Sequence, residues 1–441
     1  MQLKRFSFLV LAFLLVLAGG MVARPAAAAG GAFHGVAANV KLAKPVALGG
    51  GGISQCDPDG TQNSGAIYRI CMPPAWHYNG QLVVWAHGYV DFTNPVEIPE
   101  DQLCIDGLCI PTVANLLGYG FATTSYSVNG LAVLQGMADI LDLVNIYTDQ
   151  YGAPERVFLI GASEGGIITT LLSEQHPDIF NAGLAMCGPI GDFGRQINFF
   201  GDVRVIFNYF FPDLGAMLGD DPTNIPPEVI ADWDNIWAQM EPVIFAPENA
   251  DKLDQWVNVT NMPNDPNDYL GSLHTSVHDG LWYNVFATND ANEKLGGNPF
   301  DNTTRLYRGS DNDLLMNLSV QRVAADEAAL IELENYQTTG DLQIPLTTLH
   351  TLQDQQVPYW HEPLYGRKLG VAGNRDQRFN MPINRYEHCN FTPGEAVAAF
   401  AITIYRANQQ PLDASLVAAL LPDQAEVATY QQWFARFLDG Q

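Results

Sequence analysis

Arg156-Val157-Phe158-Leu159-Ile160-Gly161-Ala162-Ser163-Glu164-Gly165-Gly166 passes from a short run, apolar on both faces, through small residues into a segment of helical character, residues 165–175, that stops before His176-Pro177. A run of that length without alternation suits a buried parallel strand, and the residue before a proline resists helix. Ser163 therefore stands at a strand-to-helix turn. Gly-x-Ser-x-Gly in that setting is a nucleophile elbow, where the turn is so tight that side chains two positions either side of the serine would clash. With 40 glycines in 441 residues, chance yields about 0.1 such matches, so it is motif and setting together that single out Ser163.

Working outward, Leu82-Val83-Val84-Trp85-Ala86, Gly120-Phe121-Ala122-Thr123-Thr124-Ser125 and Ala182-Gly183-Leu184-Ala185-Met186-Cys187 are further runs of the same kind. Between the second and the elbow strand, Leu131, Leu134, Ala138, Leu141 and Val144 recur at three- and four-residue steps, which predicts an amphipathic helix. Strands alternating with helices give an α/β class with a mostly parallel, doubly wound sheet. From about residue 188 to 340 the texture changes to Phe199, Phe207, Phe211, Trp233, Trp256, Trp282 and Tyr283 among Pro, Asn and Asp, which reads as a large helical insertion. The sheet pattern resumes with Ile344-Pro345-Leu346-Thr347-Thr348-Leu349-His350 and Met381-Pro382-Ile383-Asn384-Arg385-Tyr386, and a helix follows over residues 394–407. The expected organisation is a signal segment 1–29, a flexible Gly/Ala lead-in 30–52, one core made of 53–190 and 341–441, and a cap or lid inserted at 191–340.

Apolar residues make up 47% of the chain and charged ones 16%, enough for a large core and against disorder. The net charge of −27 argues against nucleic acid, whose phosphates are met by Lys and Arg. Lys4 and Arg5 precede a largely apolar run over residues 6–18, then small residues ending in Ala26-Ala27-Ala28-Ala29; this predicts a secretory signal rather than a span, and export to a periplasm or to the outside. Its removal leaves 18 basic against 48 acidic residues, a net −30, and no stable membrane span. An even set of six cysteines in an exported chain favours disulfides. Fifteen pairings are open, but Cys104 and Cys109 enclose an Asp-Gly turn, Cys56 and Cys71 flank a polar Gly-containing stretch, and that leaves Cys187 with Cys389. No C-x-x-C is present, and neither Asp57-Pro58-Asp59-Gly60 nor Ser310-Asp311-Asn312-Asp313 completes a calcium loop, so no metal or other cofactor is expected.

A serine nucleophile needs a base, and the base an orienting acid. His388 lies just past the run ending at Tyr386 and before a helix, where a loop would present its ring over the carboxyl edge of the sheet. Asp354 follows the 344–350 run by a few residues; Asp341 precedes it, at the wrong edge, and Glu362 is the fallback. His176, His274, His278 and His350 have better readings as satisfied or surface residues.

These residues resemble the α/β-hydrolase superfamily over roughly 65–190 and 341–407: His87-Gly88-Tyr89 resembles its oxyanion loop, Gly161–Gly165 its elbow, Thr351-Leu352-Gln353-Asp354-Gln355-Gln356-Val357-Pro358 its acid loop and Glu387-His388-Cys389-Asn390-Phe391-Thr392 its histidine loop. The His388-Cys389 pair is distantly similar to the tannase and feruloyl-esterase group, in which a cysteine before the serine is tied to the histidine loop; here that position is Ala162. The resemblance implies Ser163 as nucleophile, His388 as base, Asp354 as its orienting acid, and the amides of Tyr89 and Glu164 as the oxyanion hole. The expectation is an exported serine hydrolase acting on carboxylic esters, of small molecules or of a polymer. A capped peptidase of aminopeptidase type is the alternative, and a non-catalytic binding module on the same fold comes after it. Oligomeric state is not written in the sequence.

Overall fold

The computed structural model describes residues 55–105 and 107–410. The expected signal segment, the lead-in and the stretch after residue 410 lie outside the described residues. In chain order come β1 (Gln55–Cys56), β2 (Gly60–Thr61), β3 (Ile67–Met72), β4 (Gln81–Ala86), a small hairpin of β5 (Cys104–Ile105) and β6 (Leu108–Cys109), α1 (Ile110–Leu116) and β7 (Gly120–Thr124). Then follow α2 (Val133–Tyr151), β8 (Arg156–Ala162), α3 (Glu164–Gln175) and β9 (Ala182–Met186). Only helices occur among the described residues before the next strand: α4 (Phe193–Phe210), α5 (Pro212–Met217), α6 (Pro227–Ala231), α7 (Trp233–Ile244), α8 (Ala250–Thr260), α9 (Tyr269–Leu295), α10 (Asp313–Ser319) and α11 (Glu327–Leu333), besides short 3-10 turns. The chain then returns through β10 (Leu346–Gln353), α12 (His361–Ala372), β11 (Arg378–Tyr386) and α13 (Pro393–Ala407).

The main sheet runs β1-β3-β7-β4-β8-β9-β10-β11, with β2 attached to β3. From β7 to β11 every pairing is parallel, and β1, β2 and β3 join antiparallel. The parallel strands are buried on both faces, which is why each is an unbroken apolar run in the sequence. Leu82, Val84 and Leu159 pack with Ile140, Leu143, Ile168 and Leu171 of α2 and α3. Val83, Trp85, Ile160 and Leu184 face the other way, towards Ala114 of α1 and Ala398 and Ile402 of α13. The helices between β9 and β10 bury a core of their own, in which Phe207, Phe211, Trp233 and Trp256 take part.

One strand departs from the sequence reading. The stretch between Cys56 and Cys71, read from the sequence only as polar and Gly-containing, carries most of β3; Arg69 near its centre turns out to Asp59 and Glu100, with N–O distances of 2.7 Å to each. The sheet itself has a feature that places ligands: the chain leaves β4 for β7 on one side and then returns to β8 on the other. Such a reversal opens a crevice outside the carboxyl ends of the strands, the usual ligand site of a doubly wound sheet.

Candidate active site

At that crevice β8 gives way to α3 through Ser163, which has φ 56° and ψ −121°. Only missing side chains allow the turn. A Cβ on Gly161 would lie 2.1 Å from the carbonyl oxygen of Gly165, and one on Gly165 would lie 2.0 Å from that of Ala86. Ser163 N–H donates to the Met186 carbonyl on the neighbouring strand (2.9 Å), so the elbow is fastened sideways as well.

The structure brings Ser163, His388 and Asp354 together. His388 Nδ1 lies 2.8 and 3.0 Å from the two carboxylate oxygens of Asp354, and Nε2 lies 2.9 Å from Ser163 Oγ. An ionised carboxylate only accepts, so Nδ1 carries the proton and Nε2 is left to accept from the serine hydroxyl. Asp354 is fully buried and also accepts from the amides of Gln356 (3.0 Å) and Val357 (2.8 Å). Burial alone would raise its pKa, but the imidazoles of His388 and His350 outweigh that and hold it well below the usual carboxylate range.

His350, read from the sequence as merely satisfied, is fully buried beside the acid: Nε2 donates to the Val357 carbonyl (2.8 Å) and lies 3.3 Å from Asp354, and Nδ1 lies 3.4 Å from Glu362. Burial opposes its charge, yet hydrogen bonds to the two carboxylates raise its pKa to about 10. Glu362, the fallback acid, lies behind this histidine and accepts from Thr348 (2.8 Å) and Arg378 (3.2 Å). No sequence signal separated these two from ordinary strand-end and helix residues.

The histidine loop is cross-linked. Cys389 pairs with Cys187, and the other disulfides join Cys56 to Cys71 and Cys104 to Cys109. Glu387 (φ 87°), Cys389 (φ 51°) and Cys187 (φ 45°) all have backbone in the left-handed region, a strained state that persists only where surroundings enforce it. Among His274, His278 and His176, the first pairs with Glu241, the second with Asp279, and the third ends α3.

Of the two proposed oxyanion donors, Glu164 N–H opens α3 and Tyr89 follows Gly88 in the loop after β4. Gly88 N–H donates instead to Gln102 Oε1 (2.7 Å), while Gln102 Nε2 donates to the Tyr89 carbonyl (3.3 Å), so a glutamine that sequence reasoning missed shapes this loop. The Glu164 side chain turns away from the cleft and is only 7% exposed. One of its oxygens accepts from Ala132 N–H (2.8 Å), and the other is buried with no partner among the described residues. Burial, partly offset by that amide and Lys294, pushes its pKa up to about 8.

Above the serine lies a cleft of about 300 Å³ to which Ser163, His388, Tyr89, Trp282 and Tyr283 contribute. Asp91, Asp101 and Asp279 also line it, and no Lys or Arg does. A larger cavity of about 1380 Å³, by Arg195, Arg305 and Lys368, is lined by none of the three central residues.

A parallel sheet with an antiparallel edge, a serine on a strained turn after the strand beside the switch point, an acid after β10 and a histidine after β11 settle the architecture. This is an α/β-hydrolase fold. No protein-family model matches the chain, and no curated protein does. Among solved structures, similar ones include acylaminoacyl peptidase from Pyrococcus horikoshii, at 12% identity and a TM-score of 0.43 over 82% of this chain and 44% of that one. A Pyrococcus furiosus esterase gives 12% and 0.40 over 79% and 90%, and Candida antarctica lipase A in its closed state 13% and 0.41 over 83% and 77%. The chain thus spans under half the length of the peptidase. At such scores it is this chain's own strand order and loop geometry, not the likeness, that make it an α/β-hydrolase fold.

Proposed function

We propose that the chain is an exported serine hydrolase that cleaves carboxylic esters through an acyl-enzyme, with Ser163 as nucleophile, His388 as general base and acid, and Asp354 as the orienting carboxylate. The observation that carries this is the continuous hydrogen-bonded line from Asp354 through His388 to Ser163 Oγ, at 2.8 and 2.9 Å. In this reading Ser163 Oγ attacks the ester carbonyl as its proton passes to His388 Nε2; the imidazolium so formed is stabilised by Asp354 and then protonates the leaving alcohol. A water repeats the sequence and releases the acid. The developing oxyanion is met by the amides of Glu164 and Tyr89, neither of which has an acceptor among the described residues. Export is supported by the basic and apolar start of the sequence and by three disulfides.

The acid-lined cleft without a cation disfavours anionic substrates. Asp279 on α9 favours one second reading, a peptidase in which a cleft carboxylate holds a substrate amine; but both its outward partners, Gln355 and Gln356 (2.8 Å each), already occupy it. The experiment is fluorophosphonate labelling with turnover of p-nitrophenyl esters beside aminoacyl-anilides. Labelling and ester turnover are expected, with Ser163→Ala abolishing the first and lowering kcat by on the order of 10⁶. Absence of labelling, or labelling that survives Ser163→Ala, overturns the enzyme; preference for the anilides overturns the ester.

A further inference from the structure

The cleft over Ser163 does not end at the serine. On the sheet face covered by α1 and α13 lies a second cavity of about 70 Å³, and Trp85, Ile105 and Met186 line both spaces. Ala162 of β8 lines the cleft and Ile160, two residues earlier, lines the cavity; residues two apart in a strand share a face. A descent along one face of β8 therefore leads from the nucleophile to this second space, whose rim of Ile105, Leu108, Ile110, Pro393, Val397 and Phe400 is half-buried. The remaining walls are Leu108 of the disulfide hairpin, Val113, Leu184, Val397 and Phe400, together with other apolar side chains.

We propose that this cavity is the seat of the acyl chain's distal end, so that the enzyme prefers esters of linear aliphatic acids of intermediate length; the inference rests on the serine esterase reading above. The one polar side-chain atom in the lining is Trp85 Nε1, which is buried and has no acceptor among the described residues. Ordered water needs two to four polar partners, which this lining does not offer, and an apolar lining accepts apolar guests. An unfilled void also forfeits the dispersion contacts that a close-packed core otherwise makes. A chain of methylenes supplies those contacts and asks for no hydrogen bond. At about 30 Å³ for each water-sized group, the cavity takes two or three chain carbons. The acyl half fits better than the leaving alcohol. The alcohol must depart past His388 and be replaced by water, whereas the acyl group stays bonded to Ser163 through the intermediate and can lie along this apolar lining.

The test is kcat/KM for p-nitrophenyl acetate, butyrate, hexanoate, octanoate and decanoate, with thermal unfolding recorded for every variant. Each methylene seated in the cavity is expected to raise kcat/KM about fourfold, with a maximum inside the series and a fall beyond it. Ala396→Phe fills the cavity and lowers the ratio at the wild-type optimum to acetate by roughly sixteenfold or more. Val113→Ala enlarges it and moves the maximum to a longer chain, which keeps the test decisive if the first variant does not fold. A profile without a maximum, or folded variants that keep the wild-type ratios, overturns the acyl seat. Acetate turnover that depends on Ser163 but ignores chain length refutes the cavity alone; absence of both acetate turnover and fluorophosphonate labelling refutes the esterase reading and this proposal with it.

Discussion

Ser163 and His388 are hydrogen-bonded to each other, but the loops that carry them are made rigid by opposite means. The elbow is fixed by absence: glycines at 161 and 165 let the backbone of α3 come against that of β4 where any Cβ would collide. The histidine loop is fixed by additions. A disulfide ties Cys389 to Cys187 at the end of β9, Thr351 Oγ1 donates to the Glu387 carbonyl (2.8 Å), and Arg385 grips Glu395 at the start of α13 with two hydrogen bonds of 3.0 Å. Steric exclusion leaves no alternative conformation and cannot be tuned; cross-links can be removed one at a time. The serine loop is therefore expected to fail all at once and the histidine loop by degrees.

Gly165→Ala breaks the contrast at its hardest point. The added carbon meets backbone, not a flexible side chain, so the cost exceeds the roughly 3 kcal/mol at the top of ordinary overpacking; the expected outcome is loss of soluble folded protein, read by circular dichroism and yield. A folded Gly165→Ala enzyme with normal turnover would show that the elbow has slack. Cys187→Ser with Cys389→Ser tests the other loop. Stability should fall by about 2–4 kcal/mol, and kcat by roughly a hundredfold as the imidazole drifts by about an ångström, while the protein still folds and Ser163 keeps its backbone. Unchanged kcat would mean that hydrogen bonds suffice to hold His388.

The smallest effect sharpens the elbow itself. Because the folded pKa of Glu164 is raised from 4.5 to about 8, the folded state holds its proton where the unfolded state has released it. Stability from this group is complete below 4.5 and is lost as pH rises towards 8. His350, raised from 6.5 to about 10, adds a loss of the same sign from pH 6.5 upward. His87, lowered to about 4 by burial, and His361, lowered by burial as well, pull the other way between pH 4.5 and 6.5, so Glu164→Gln should make Tm rise more steeply with pH than in the wild type over that window and leave only the slope above pH 8 unchanged. An unaltered slope below pH 6.5 would show that the Glu164 carboxyl is not held neutral.

How far the sequence could be read follows the same physics. The six parallel strands and the helices after residues 131, 164 and 393 were visible because burial on two faces, or on one stripe, writes a pattern that few other folds share. The serine was visible because glycine at fixed offsets is what a colliding backbone demands, and the order of Asp354 and His388 followed from the strands before them. β3 was hidden because an antiparallel strand tolerates an outward Arg69 among apolar neighbours. α12 was hidden by Pro363, Gly366 and Gly370, which speak against helix, although Tyr365 and Leu369 bury one face. His350 acts through Asp354, Val357 and Glu362 and Gln102 through Gly88 and Tyr89, near neighbours brought together by irregular loops whose course no periodic pattern announces. The aromatics between β9 and β10 gave composition only: most fill that segment's own interior, and Trp282 and Tyr283 reach the cleft.

Those last two residues ride on α9, whose 27 residues make a rod about 40 Å long. Near its start the Ser272 carbonyl accepts from Tyr386 Oη (2.8 Å); at its middle Asp279 and Tyr283 hold Gln356; near its end Asp290 accepts from Leu131 N–H (2.6 Å) and Lys294 donates to the Asn129 carbonyl. A rod pinned at three stations cannot pivot about any one of them without releasing the other two. Trp282, stacked on Phe286, and Tyr283, stacked on Phe200 and bonded to Gln356, are held by the same beam, so the wall they give the cleft is as stationary as the helix that carries it.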